Sequence, residues 1–320
     1  YAVASTGNFG GLLLAVFYQL PLFLVGLSMG TVAGAFAGAV AGVGMLVMFG
    51  LLGLVVFVVF NAAPVIIIIR QALLFRTDEI GDTEWYPSGL LASSATGLAL
   101  ALMTAVFLWM ELTTEGMEAM IQQFLRAFAD NMMAGVSAEQ RDQVVSSVAP
   151  VLPGVIGLYW TLAVVVNGVL GQGLAVRFGW NRRPSPDFST LALPRWLPTL
   201  AAVLLIGALV MPDTLGFYAV NGAILLSMPF FLVGLAVVHV AAKRFAAGSM
   251  LLIAFYITMM MFGWPVVFVA FIGLIEQLAG FRQRMATAGK EEGVAVRTAD
   301  GVTHRARFAI STFSAGVINH

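Results

Sequence analysis

The chain contains no cysteine and only three histidines, and no Asp, Glu, Lys, Arg or His precedes Arg70. The first absence excludes disulfides, thiolate metal sites and a cysteine nucleophile. The second argues against a histidine-based metal centre, because His239, His304 and His320 are far apart in the chain. The third decides the solvent. About a quarter of a typical soluble chain is charged; here 10% is, against 60% apolar residues. A helix rises ~1.5 Å per residue, so the uncharged opening stretch supplies roughly 100 Å of helix. A bilayer core is ~30 Å thick. That stretch therefore crosses it about three times.

The net charge is zero, so no bulk attraction to nucleic acid is expected. There is no nucleophile–base pair, no His-Glu zinc pattern and no phosphate-cradling loop ending in Lys-Ser/Thr. The sequence thus nominates no catalytic residue, metal ligand or cofactor, and points away from an enzyme. It has no positive n-region before an h-region, so no signal peptide is visible. Residues 1–8 read as the exit of a helix whose beginning is missing.

In hydrocarbon, backbone groups must pair within their own segment, so apolar runs read as helices. They fall at 10–28, 31–49, 51–75, 88–110, 150–176, 196–211 and 217–240. A last run, 249–281, is broken at Gly263-Trp264-Pro265. The predicted fold is an all-α polytopic transmembrane bundle of about 7–9 spans. Residues 1–284 form the membrane domain and 285–320 a short, mostly disordered tail. Within the tail, alternation around Asp300-Gly301 signals a hairpin.

Basic connections set the orientation. Segment 177–195 carries Arg177, Arg182, Arg183 and Arg195 against Asp187 alone, and Lys243-Arg244 forms a second basic loop. The positive-inside rule places both in the cytoplasm. The connection 111–148 then lies outside. Basic residues at both ends of 245–281 favour a hairpin of two short helices there over one long kinked span. Glu276, near Arg282, reads as an ion that snorkels to the interface.

The external connection is patterned. Met117, Met120, Ile121, Phe124, Leu125 and Phe128 mark one helical face, and a capping-box pattern at Ser137 starts a second helix. This reads either as a hairpin packed over the outer ends of the spans or as an interfacial helix or lid.

Two further features bear on function. Gly34, Gly38 and Gly42 stand four apart on one face, which suits close helix packing or docking of a membrane partner subunit. Amides at membrane depth are costly and therefore informative. Gln19 precedes Pro21, Asn61 precedes Pro64, and Asn167 and Gln172 follow in a later span. Broken helices line binding cavities in many transporters. These four are the candidate ligand-binding residues, for a small molecule the sequence does not name. The alternative is that the amides repair proline breaks. Asn221 and Glu276-Gln277 are also polar at depth.

Several stretches resemble one family. Thr83-Glu84-Trp85-Tyr86-Pro87-Ser88-Gly89-Leu90-Leu91 carries the clearest likeness. Tyr18-Gln19-Leu20-Pro21-Leu22, Ala192-Leu193-Pro194-Arg195-Trp196-Leu197-Pro198, the run from Pro229 to His239, and Gly273-Leu274-Ile275-Glu276-Gln277 with Phe281-Arg282-Gln283-Arg284 follow in order. Together, over residues 10–284, they resemble the YybS-like family of uncharacterised bacterial polytopic membrane proteins. That family looks related to the substrate-binding membrane subunits of energy-coupling-factor transporters. The resemblance implies a bacterial inner-membrane protein with no settled activity. It would hold a ligand towards the outer side, under the 111–148 lid, and dock a partner through the Gly34/Gly38/Gly42 face. A non-transporting scaffold for envelope or cell-shape assembly is the alternative.

Overall fold

The computed structural model describes residues 16–77, 81–133 and 135–280, together with the backbone of two short strands in the tail. The start of the first predicted span, the segment 1–8, and Arg282 and Arg284 lie outside the described residues. The fold is an all-α bundle. Its helices are α1 (Leu20–Met29), α2 (Thr31–Phe57), a π-helical turn (Val58–Ala62), α3 (Ala63–Ala72), α4 (Ser88–Thr113), α5 (Met117–Met132), α6 (Ala138–Val148), α7 (Leu152–Arg177), α8 (Trp196–Val210), α9 (Asp213–Ala242), α10 (Gly248–Phe262) and α11 (Pro265–Ala279). A small antiparallel hairpin, β1 (Phe75–Thr77) with β2 (Thr83–Trp85), joins α3 to α4. In the tail, β3 (Ala295–Arg297) pairs with β4 (Thr303–Arg305), as the Asp300-Gly301 signal predicts.

Helix α2 is two helices in effect. Gly50 sits at φ 70°, ψ −168°, a backbone geometry far from helical and open chiefly to glycine. The chain reverses there. Gly42 faces Leu54 and Phe57, while Gly38 faces Ala62 and Ile66, a pairing only an antiparallel return can give. The arms 31–49 and 51–72 are about 28 Å and 33 Å long at ~1.5 Å per residue, so each matches a bilayer core. Outward-facing side chains such as Val32, Phe36 and Val47 are 71–85% exposed. Side chains of this kind meet lipid.

The interior divides along the chain. Phe23, Leu27, Val65, Ile69 and Val164 join α1, α3 and α7. Leu197, Leu226, Phe230, Val233 and Val269 join α8, α9 and α11. Helix α4 bridges the two through Ala99 and Met103, which meet Leu225.

The break at Gly263 does not make the hairpin that the flanking charges favour. Ala242 meets Gly248, and the Tyr256 hydroxyl lies 3.3 Å from His239 Nε2. Further on, Gly234 meets Val269 and Phe230 meets Gly273. Along α10 and α11 together the partner position on α9 therefore steps steadily back from 242 to 230. Both helices climb α9 in one sense, and Gly263 (φ 66°) kinks the path instead of reversing it. Packing against α9 outweighs the charge rule here. Glu276 is also buried, not snorkelled.

The basic connection 178–195 is threaded into the bundle. Arg183 is 5% exposed. Its Nη1 donates to the Ala72 carbonyl at 2.8 Å, the C-terminus of α3, and reaches Tyr86 O at 3.5 Å. Its guanidinium lies 5.8 Å from the Trp85 ring centre, a cation–π distance. Burial lowers its pKa from the ordinary arginine value. The Arg183 carbonyl accepts from Gln172 Nε2 at 2.8 Å, and Arg182 Nε donates to Ser28 O at 3.2 Å. Gln277 grips Leu193 by both its N–H and its carbonyl. One end of the bundle thus gathers Arg177, Arg182 and Arg183, and the acidic 111–148 connection caps the other.

Three measurements test this fold. A methyl group at Gly273 would strike the Phe230 carbonyl, whereas one at Gly97 meets nothing within 4 Å. Gly273→Ala should therefore cost roughly 1–3 kcal/mol in thermal or denaturant unfolding, and Gly97→Ala should cost nothing. Arg183→Leu should cost about 2 kcal/mol or more, since it strands buried carbonyls. By the positive-inside rule the basic end is expected in the cytoplasm. A single cysteine at Ser185 should then resist an impermeant thiol reagent in intact cells, and ready labelling would invert the orientation.

Candidate functional site

Proline 64 has no N–H, so the carbonyl four residues before it, Phe60 O, loses its helical donor. The chain answers twice. The helix widens into the π turn Val58–Ala62, and Trp160 Nε1 of α7 donates to Phe60 O at 2.8 Å. The repair comes from an indole, not from the neighbouring amide. Asn61 is left 5% exposed, with its Oδ1 unpartnered within the protein.

Gln19 stands just before α1, whose first turn carries Pro21, and its side chain caps nothing. It is 2% exposed; its Nε2 donates to the Tyr18 hydroxyl at 2.9 Å, and its Oε1 has no protein partner. Asn167 is fully buried. Its Nδ2 donates to Ala163 O at 2.7 Å in its own helix and to Val16 O at 2.8 Å across the interface. Its Oδ1 is unpartnered.

Helix register sets these three at similar depth. Phe23 of α1 lies against Gly168 and Gly171 of α7. One turn back from the Phe23–Gly171 contact, on both helices, are Gln19 and Asn167. Gly26 lies against Ile69. Two turns back on both helices stand Gln19 and Ala62, the neighbour of Asn61. Each amide also lies about ten residues before the basic end of its helix, at Gly30, Ala72 and Arg177. Ten residues of helix are roughly 15 Å, half of a ~30 Å core. The site is at mid-membrane. Three amide oxygens there lack a protein partner, and the helical turns around it carry no Asp, Glu, Lys, Arg or His. Its oxygens can accept hydrogen bonds from a donor, and it holds no charged side chain.

The remaining candidates lie elsewhere. Gln172 faces the Arg183 loop at the basic end, so it is not part of this group. Asn221 is satisfied throughout: Nδ2 donates to Phe217 O and Pro150 O, both at 2.8 Å, and Oδ1 accepts from Gly154 N at 2.7 Å. It caps the start of α7 from another helix. Gly34, Gly38 and Gly42 are the buried positions of α2. Gly34 meets Gly26, Gly38 meets Leu22 and Ile66, and Gly42 meets Leu54. That face is occupied by α1 and the returning arm. An open groove lies along α5 and α6, lined by Met133, Val136, Gln140, Val144 and Val148; none of the amides reaches it. Among the described residues no three His, Asp or Glu side chains stand close enough to hold a metal ion.

Arg183 and Trp160 are the structural residues that sequence reasoning overlooked. An arginine in a basic loop looks like a topological charge, and a tryptophan in a span looks like core. Only the position of Pro64, four residues after an orphaned carbonyl, hinted that a donor was needed.

No curated protein and no solved structure matches the chain significantly. One family model does, that of the predicted membrane proteins DUF2232, over residues 9–276. The chain belongs to this family of integral membrane proteins.

Proposed function

We propose that this family member is a transporter-like membrane subunit that binds a small uncharged molecule between α1, α3 and α7. The observation that carries the reading is that three buried amides at similar depth, Gln19, Asn61 and Asn167, each keep a carbonyl oxygen unpaired. An unmet buried acceptor costs about 1–3 kcal/mol. A ligand bearing N–H or O–H donors recovers that cost on binding. The surroundings fit. Two of the three amides sit beside a helix break, at the start of α1 and in the π turn, and both kinds of irregularity are common at functional sites.

The basic end faces the cytoplasm in this reading, and the membrane is the bacterial inner membrane that the sequence resemblance implies. The chain binds and does not catalyse. A partner subunit of the energy-coupling-factor type would have to dock on a face other than Gly34/Gly38/Gly42, which is covered from within. The scaffold alternative relied on the same small-residue face and would equally need another contact surface.

Native mass spectrometry of gently extracted protein tests the proposal. The wild type should carry a small-molecule adduct, and Asn61→Leu should lose it. Leucine removes an unpaired polar atom, so thermal stability should hold or rise by up to ~1 kcal/mol. A parallel fall in stability, or a wild type with no adduct, would assign Asn61 to packing.

A further inference from the structure

The second feature that calls for an occupant is on α5. Met117, Ile121, Phe124, Phe128 and Met132 fall on one face at helical spacing. The first two turns of that face are held by the bundle: Met117 is buried with Phe107 and Phe217, and Ile121 packs against them. The rest is not. Phe124, Phe128 and Met132 are 66%, 54% and 70% exposed. The stripe therefore leaves the protein core and runs on beyond its edge.

The other sides of α5 are accounted for. Ala129 is buried off that stripe. Arg126 pairs with Asp142 at 3.9 Å, and Arg141 with Asp130 at 3.5 Å, so the two helices are also tied along their polar edge. Gln123 is exposed on that polar side. The hairpin is fixed in orientation while its aromatic stripe remains uncovered.

We propose that α5 lies in the membrane–water boundary at the acidic end, with Phe124, Phe128 and Met132 inserted into the lipid. The stripe is continuous with surface that already faces lipid. The ends of α4 and α7 that bracket the hairpin expose Trp109, Leu112, Ile156 and Tyr159, the mixture of aromatic and aliphatic residues typical of this boundary. Charge chooses the lipid. Segment 111–148 holds six acidic residues against Arg126 and Arg141, so anionic headgroups repel it and insertion is hydrophobic. An interfacial helix of this kind sinks its apolar face some ~5–10 Å into the headgroup and acyl boundary.

The absence of cysteine allows a clean test. Single cysteines replacing Phe124, Phe128 and Gln123 carry a nitroxide spin label, and the full chain is reconstituted in phosphatidylcholine bilayers. At 124 and 128, collision with dissolved oxygen should exceed collision with a water-soluble nickel chelate severalfold; at 123 the order should reverse. Met132→Cys serves as a third stripe position if an aromatic replacement lowers yield. Chelate access at 124 and 128 equal to that at 123 would overturn the proposal. Dipolar broadening between labels at low protein-to-lipid ratio would overturn it equally, by showing that a second copy covers the stripe.

Discussion

In hydrocarbon no water exists to satisfy a freed backbone group, so every break in a helix needs a partner from elsewhere in the protein. Much of this structure follows from that constraint. Pro64 frees Phe60 O, and Trp160 supplies the donor. The start of α7 exposes Gly154 N, and Asn221 supplies the acceptor. The end of α3 exposes the Ala72 carbonyl, and Arg183 supplies a charged donor. Each repair joins segments far apart in sequence, so the same bonds that mend the helices also fix which helices are neighbours.

The donors of the buried amides are spent in this way more often than their acceptors. Asn167 uses its N–H groups to hold Val16 and Ala163, and Gln19 gives its own to Tyr18. The side-chain oxygens of both remain without a protein partner. That asymmetry distinguishes the α1/α3/α7 junction from Asn221, where donor and acceptor are both engaged and the residue is simply a brace.

Much of the fold was legible in the sequence. Uncharged length predicted helices, and Gly50 fell at the expected boundary between 31–49 and 51–75 even though no polar loop marks it. The Ser137 cap is present, its Oγ accepting from Gln140 N. The π turn and the threading of 178–195 were not legible, because both depend on partners about a hundred residues away. The kinked course of α10 and α11 was misread for a related reason. Charges at the two ends favoured reversal, but the close approach of Gly234 to Val269 and of Gly273 to Phe230 is a tertiary fact that local charge does not encode. In the site, three of four amides named from sequence share a depth. Gln172 differs because a five-residue step along a helix turns it to another side.

The unequal helix lengths have a consequence for the surrounding bilayer. The arms either side of Gly50 are long enough for a full core, whereas α8, with its 15 residues, reaches only about 22 Å. Helix α8 by itself is thus shorter than a bilayer core and is flanked by the longer α9. Such mismatch costs fractions of a kcal/mol per ångström and is relieved by tilt or local thinning.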